Sequence, residues 1–205
     1  MTTSYEPQLQ PVAIDELRPT QMTVGFREVA NKRLQWRAHA SKNGPEFLGR
    51  HMVPVVIGPK QRPYLIDNHH LARALQEEGV VHVLTSIVFD LSHLEKREFW
   101  TVMDHRRWMY PFDAKGERRS WRDLPKAVAD LTDDAYRSLA GAVRRAGGFA
   151  KDTTPFSEFM WADFLRTRVD AKRVDEDFER ATQDALKLAH GAGAKFLPGW
   201  CGIAD

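Results

Sequence analysis

An acid, an amide and two histidines stand in succession at Asp67-Asn68-His69-His70, between an apolar run, Tyr64-Leu65-Ile66, and a stretch that carries Leu71, Ala72, Ala74 and Leu75 at helical spacing. That pattern predicts a strand delivering these four residues to the first turn of a helix. The first N–H groups of a helix have no partner within it, and the helix dipole adds positive potential there. Such an end binds anions, so the backbone around Asn68, His69, His70 and Leu71 is a candidate phosphate cradle. The two imidazoles add donors, and Asp67 can orient one of them or hold a Mg²⁺ ion that bridges to a phosphate. The plainer alternative is that Asp67 or Asn68 only caps the helix while both histidines pack or face solvent.

Charge supplies a second feature. Residues 18–50 hold seven basic side chains (Arg18, Arg27, Lys32, Arg33, Arg37, Lys42, Arg50) against Glu28 and Glu46, a local excess of +5 in a chain whose net charge is only +2. If Ile14, Val55 and Leu65 share one core, this segment is expected to form a wall of the same pocket. Gln21, Arg27, Lys32 and Arg33 would then approach the ligand, and Glu28 would be an acid within reach. Solvated helix faces are the alternative reading. Arg106 and Arg107, in the run His105-Arg106-Arg107-Trp108, are candidates for the far wall.

The elements that must position these residues follow from pattern. The first ten residues read as a flexible arm, and Val12, Ile14 and Leu17 as a short strand and turn ending at Pro19. A helix is expected over about 24–40, broken at Gly44-Pro45, with one more turn over 46–50. Val53-Pro54-Val55-Val56-Ile57 and Tyr64-Leu65-Ile66-Asp67 read as a β-hairpin, followed by a helix over 69–78, a stop at Gly79 and a strand over 80–89. Beyond Asp90 the pattern is helical: 94–108, 133–146, 156–169 and 174–190. Strands followed by helices predict an α+β fold, with a small mixed sheet in 11–90 and an all-helical region in 91–205.

Composition narrows the classes. The single cysteine, Cys201, cannot make an intramolecular disulfide, a thiolate zinc cluster or a Cys-x-x-Cys pair, and the remaining histidines lack metal-ligand spacing. No apolar run approaches the roughly 18 residues of a membrane span, and the start lacks a secretory pattern, so a cytoplasmic protein without membrane partners is expected. A net charge of +2 is far below that of a protein that coats duplex DNA.

The order Ile14-Asp15-Glu16-Leu17-Arg18-Pro19-Thr20-Gln21, then Pro54-Val55-Val56-Ile57, then Tyr64-Leu65-Ile66-Asp67-Asn68-His69-His70 resembles the ParB/sulfiredoxin superfamily. Within it the chain looks most like the ParB-like nuclease branch, on Leu17-Arg18-Pro19-Thr20-Gln21 and on the stretch from Asp67 to Leu75. The resemblance implies nucleotide binding (ATP, ADP or CTP, with Mg²⁺) with phosphates on the 67–70 loop. Sulfiredoxin's catalytic cysteine would fall at His69, which removes that activity. Related serine kinases carry an acid where Gln21 stands, so a kinase reading needs another base, Glu28 or Asp67. The usual loop glycine is Asn68 and the usual arginine is Leu71, with Arg73 two positions on. Gly116-Glu117-Arg118-Arg119 matches a motif of partitioning proteins, but it follows a turn-rich connector and reads here as a basic loop.

Three functions are therefore carried forward. The first is transfer or hydrolysis of a nucleotide's terminal phosphate, with Asp67, His69, His70 and Glu28 as candidate catalytic residues. The second is a nucleic-acid-binding protein or nuclease that acts on a backbone phosphate at the same loop, and the third is a catalytically silent interaction module. Oligomeric state is not legible.

Overall fold

A central strand covered on both faces reads as an unbroken apolar run, and Val53-Pro54-Val55-Val56-Ile57 is such a run. The computed structural model of the chain describes residues 9–202, with backbone only for residue 9 and residues 41–45. It places that run in β4 (Val53–Gly58), third in a five-stranded sheet. The other strands are β1 (Leu9–Ala13), β2 (Arg18–Pro19), β5 (Arg62–Leu65) and β6 (His82–Asp90), in the order β1-β6-β4-β5-β2. β1 is antiparallel to β6, β6 parallel to β4, β4 antiparallel to β5 and β5 parallel to β2. Neighbouring Val55 and Val56 are both fully buried although their side chains leave opposite faces of the strand. The arm expected over 1–10 lies largely outside the described residues, and residues 9 and 10 are already in β1.

The chain forms two compact units. The first comprises Met1–Thr23, Val29–Asp113 and Glu117–Thr132; the second comprises Val24–Glu28, Ala114–Gly116 and Asp133–Asp205. The principal boundary thus falls near residue 132 and leaves the first helix after the sheet, over residues 96–105, with the sheet. Two-residue strands β3 (Thr23–Val24) and β7 (Thr132–Asp133) mark where the chain passes from one unit to the other.

In the first unit α1 (Phe26–Arg50) runs unbroken through Gly44-Pro45. A proline inside a helix costs roughly 3 kcal/mol. Packing beyond the proline holds the last turns in place: the buried Phe47 ring meets Trp36 edge-on at 5.4 Å and stacks on His51 at 4.1 Å. α2 (His69–Glu77) buries Leu71, Ala72, Ala74 and Leu75, the spacing that the sequence predicts. It closes through Gly79 at φ +74°, where the Val80 N–H returns to the Leu75 carbonyl at 3.0 Å. α3 (Lys96–His105) buries Phe99, Trp100 and Met103 in a cluster with Val56 and Tyr64.

The second unit is helical: α4 (Ala135–Arg145), α5 (Ser157–Arg166), α6 (Ala171–Glu176) and α7 (Phe178–His190). The single helix expected over 174–190 is two, because Asp177 leaves helical geometry and its carboxylate accepts the Arg180 N–H at 3.1 Å, starting a new helix. Leu139, Trp161, Leu165, Val174 and Ala185 lie in its core. None of the described helices is long and apolar enough to cross a membrane.

Four side chains knit α1 to the end of α2. Arg33 bonds Glu78 at 2.5 Å and Glu77 at 3.0 Å, and Arg37 bonds Glu78 at 2.7 and 2.8 Å. These two guanidinium groups hold the Glu78 carboxyl at a pKa of about 2, against 4.5 ordinarily. A group with a depressed folded pKa stabilises the fold above its unfolded value and loses that contribution as pH falls through the folded one. The melting temperature of the wild type is therefore expected to exceed that of Glu78→Gln at neutral pH, with the gap closing between about pH 4.5 and 2. A gap that is constant over this window in thermal melts would remove the ion-pair account.

Candidate phosphate-binding site

Asn68 explains why a strand can run straight into a helix start without glycine. It takes the left-handed region at φ 64° and ψ 26°, which asparagine tolerates better than most residues. Its side-chain amide is turned away to donate to the Met52 carbonyl at 3.0 Å, and so gives α2 no side-chain cap. The exposed Asp67 carboxylate accepts the Asn68 N–H at 2.7 Å. The turn before His69 is thus set by residues 67 and 68, while Ala72 N–H makes the first helical bond, to Asn68 O at 2.9 Å.

The two histidines divide. His69 is buried, and its Nε2 accepts the Thr20 N–H at 3.2 Å, so the ring is neutral with its proton on Nδ1. Thr20 also donates its hydroxyl to the Leu65 carbonyl at 2.7 Å. These bonds dock the segment after β2 on the start of α2. His70 is half-buried in the first turn, one position beyond His69 on the helix. Leu71 is buried and contributes only backbone to the helix start.

Gln21 follows Thr20 and is 6% exposed, and its side-chain Oε1 is buried with no hydrogen-bond partner. Its backbone pairs with Tyr110, and the Tyr110 N–H donates to the Thr20 carbonyl at 2.8 Å. The structure therefore brings Asp67, Asn68, His69, His70, Leu71 and the Thr20-Gln21 step together. A buried acceptor without a partner, one residue along the chain from the Thr20–His69 bond, calls for an explanation that a polar ligand would supply.

The other candidates lie elsewhere or are engaged. Arg73 spans to the Val128, Ala129 and Leu131 carbonyls at 3.3, 2.9 and 2.9 Å and pairs with Glu77 at 2.7 Å, so its guanidinium ties down the 128–131 turn. Arg33 is at the C-terminal end of α2, about 12 Å of helix from the Asp67 end. Lys32 is half-buried one residue before it. Arg27 and Glu28 belong to the second unit: the Arg27 guanidinium lies 4.1 Å from the Phe178 ring centre, and Glu28 forms a two-pronged pair with Arg145, one contact at 2.6 Å. Arg106 rests on the rings of Phe89 and Trp108 at 5.5 and 5.3 Å, and Arg107 is exposed at φ 54°. Thr20, the residue that organises the site, sits inside the Leu17-to-Gln21 motif; only its neighbours had suggested chemistry.

Among the described residues no group of three or more His, Cys, Asp or Glu side chains is placed to hold a metal. Asp67 could serve Mg²⁺ only as a single carboxylate, with phosphate oxygens and water completing the shell, a mode that Mg²⁺ uses.

Sheet, hairpin and helix start define a small α+β protein of ParB-like type. The chain belongs to the family described as "Putative ParB-like nuclease", which matches residues 10–167. It is similar to the crystal structure of protein Atu1540 from Agrobacterium tumefaciens, with 57% identity over 97% of this chain and 100% of that one and a TM-score of 0.90. No curated protein matches.

Replacing His69 by Ala orphans the buried Thr20 amide and opens a cavity, which should cost about 1–3 kcal/mol for the lost bond alone. His70→Ala should change stability by much less. Urea unfolding of both variants checks this; equal midpoints would show that the Thr20–His69 bond does not hold the fold.

Proposed function

We propose that the protein binds the phosphate of a nucleotide at the start of α2 and transfers or hydrolyses it there. One observation carries the reading: an α2 N-terminus without a side-chain cap, with the exposed Asp67 carboxylate on one side and the buried, unfilled Oε1 of Gln21 nearby. Anionic oxygens would rest on the first-turn amides, and His70 would add one charge-assisted bond. ATP, ADP or CTP with Mg²⁺ would supply the phosphate, Asp67 holding the ion through the phosphate. The proton-accepting role falls to Asp67, since Gln21 is an amide and Glu28 is held by Arg145. His69 is a positioning residue that fixes the turn through Thr20.

The family's description favours a second reading, in which the same cradle takes a backbone phosphate of nucleic acid and Asp67 with His70 acts on it. Calorimetric titration with ATP, ADP, CTP and GTP, beside labelled single- and double-stranded DNA, separates the two by ligand. His70→Ala should lower affinity for the ligand that binds by roughly ten- to a hundred-fold, the equivalent of about 1.5–3 kcal/mol. The fold should survive. Binding of neither ligand class would leave an interaction module and end both readings.

Asp67→Asn should abolish turnover while leaving phosphate binding measured without Mg²⁺ within a few-fold, because the cradle is made of backbone. A variant that keeps full turnover would take the proton-accepting role away from Asp67.

A further inference from the structure

Along one side of α3 runs a groove of about 440 Å³, lined among others by Arg97, Trp100, Asp104, Arg118, Arg119 and Trp121. Two indoles form its aromatic wall: Trp100 and Trp121 stack with centroids 5.7 Å apart and planes 14° from parallel. Trp100 is buried and wedged edge-on against Tyr64 at 5.3 Å and Phe99 at 5.1 Å, so the platform is anchored in the core of the first unit. Trp121 is half-buried, and Lys96 and Arg122 lie over its ring at 5.0 and 4.5 Å.

The charges around the pair sort into two sets. Arg118 is pinned to Asp104 at 2.5 Å, and Arg119 to Asp113 at 2.5 Å and Glu117 at 2.6 Å, which fixes both guanidinium groups and neutralises the acids. Lys96, Arg97 and Arg122 have no ion-pair partner among the described residues, so two uncompensated cations lie on the Trp121 ring and a third lines the groove. Exposed arginine and lysine over indole are weakly held and can exchange a ring face for an anion.

We propose that this groove binds single-stranded nucleic acid, with one base stacked on Trp121 and the flanking phosphates on Lys96, Arg97 and Arg122. The groove shares none of its lining residues with the 67–70 loop and does not depend on the reading given for that loop. A duplex keeps its base faces stacked internally and offers nothing to the indole. An acidic peptide would meet the cations but leave the aromatic platform idle. Stacking plus a basic track suits a single strand.

The test is fluorescence anisotropy with a fluorescein-labelled twelve-residue oligothymidylate in low salt, melting temperature serving as the folding check. The wild type should bind it more tightly than a blunt duplex of equal length or polyglutamate, and the oligomer should quench tryptophan emission. Trp121→Ala should weaken binding roughly five- to a hundred-fold. Since Trp121 also packs on Trp100, the surface double variant Arg97→Ala/Arg122→Ala gives an independent reading: weaker binding, and a salt dependence (log K against log salt) shallower by about 1.4. Saturating ATP should not displace the oligomer. Equal affinity of the folded double variant and the wild type, equal binding of polyglutamate, absence of quenching, or displacement by ATP would each overturn the groove assignment; the last would place the strand at the 67–70 loop instead.

Discussion

The candidate site depends on Thr20. Its hydroxyl reaches the carbonyl at the end of β5, and its amide reaches the first ring of α2, so one residue joins the edge strand, the hairpin and the helix start. The amide bond also decides what His69 can be. A buried ring whose Nε2 is committed as an acceptor cannot present that nitrogen to a phosphate, and protonating it would leave two donors facing each other in the interior. On the proposed reading any contact of the pair with a ligand falls to His70, one position along the chain, and the turn itself is set by Asp67 and Asn68.

Charge follows a similar economy of position. The +5 excess over residues 18–50 looks, in sequence, like a surface awaiting an anion. Folded, Arg33 and Arg37 converge on Glu77 and Glu78, acids that lie more than forty residues away in sequence and therefore do not enter a local count. Arg73 is consumed by carbonyls in the same way. Lys96, Arg97 and Arg122, at or near α3, have no acidic partner among the described residues, in a stretch whose local charge is diluted by Asp104, Asp113 and Glu117, each already paired to Arg118 or Arg119.

Legibility in the sequence tracks how local the cause is. The hairpin, α2 and β6 are visible because apolar runs, turn residues and Gly79 lie within a few residues of the elements they define. The continuity of α1 is not, since Gly44-Pro45 argues locally for a break and the ring contacts of Phe47 that answer it come from Trp36 and His51. The split at Asp177 is local but competitive: the same carboxylate is tolerable within a helix and better as a cap. At the candidate site, the strand-to-helix turn is legible and the buried role of His69 is not. Telling His69 from His70 requires knowing which face of the first turn meets Thr20, a contact across 49 residues of chain.

Binding and reaction are separable at such a site, and the proposed reading assigns them to different residues. Backbone amides at the start of a helix hold a phosphate in ground state and transition state alike, so the cradle confers affinity without by itself conferring rate. Acceleration requires a group that acts on the proton or the charge that develops at phosphorus. The 67–70 loop supplies one exposed carboxylate, Asp67, already oriented by the Asn68 amide, and one histidine not committed to Thr20. The acid at Glu28 is bound to Arg145 within the second unit, and Gln21 cannot take a proton. On the proposed reading the backbone of α2 would hold the phosphate, and the choice between transfer, hydrolysis and silent binding would rest with the side chains of Asp67 and His70.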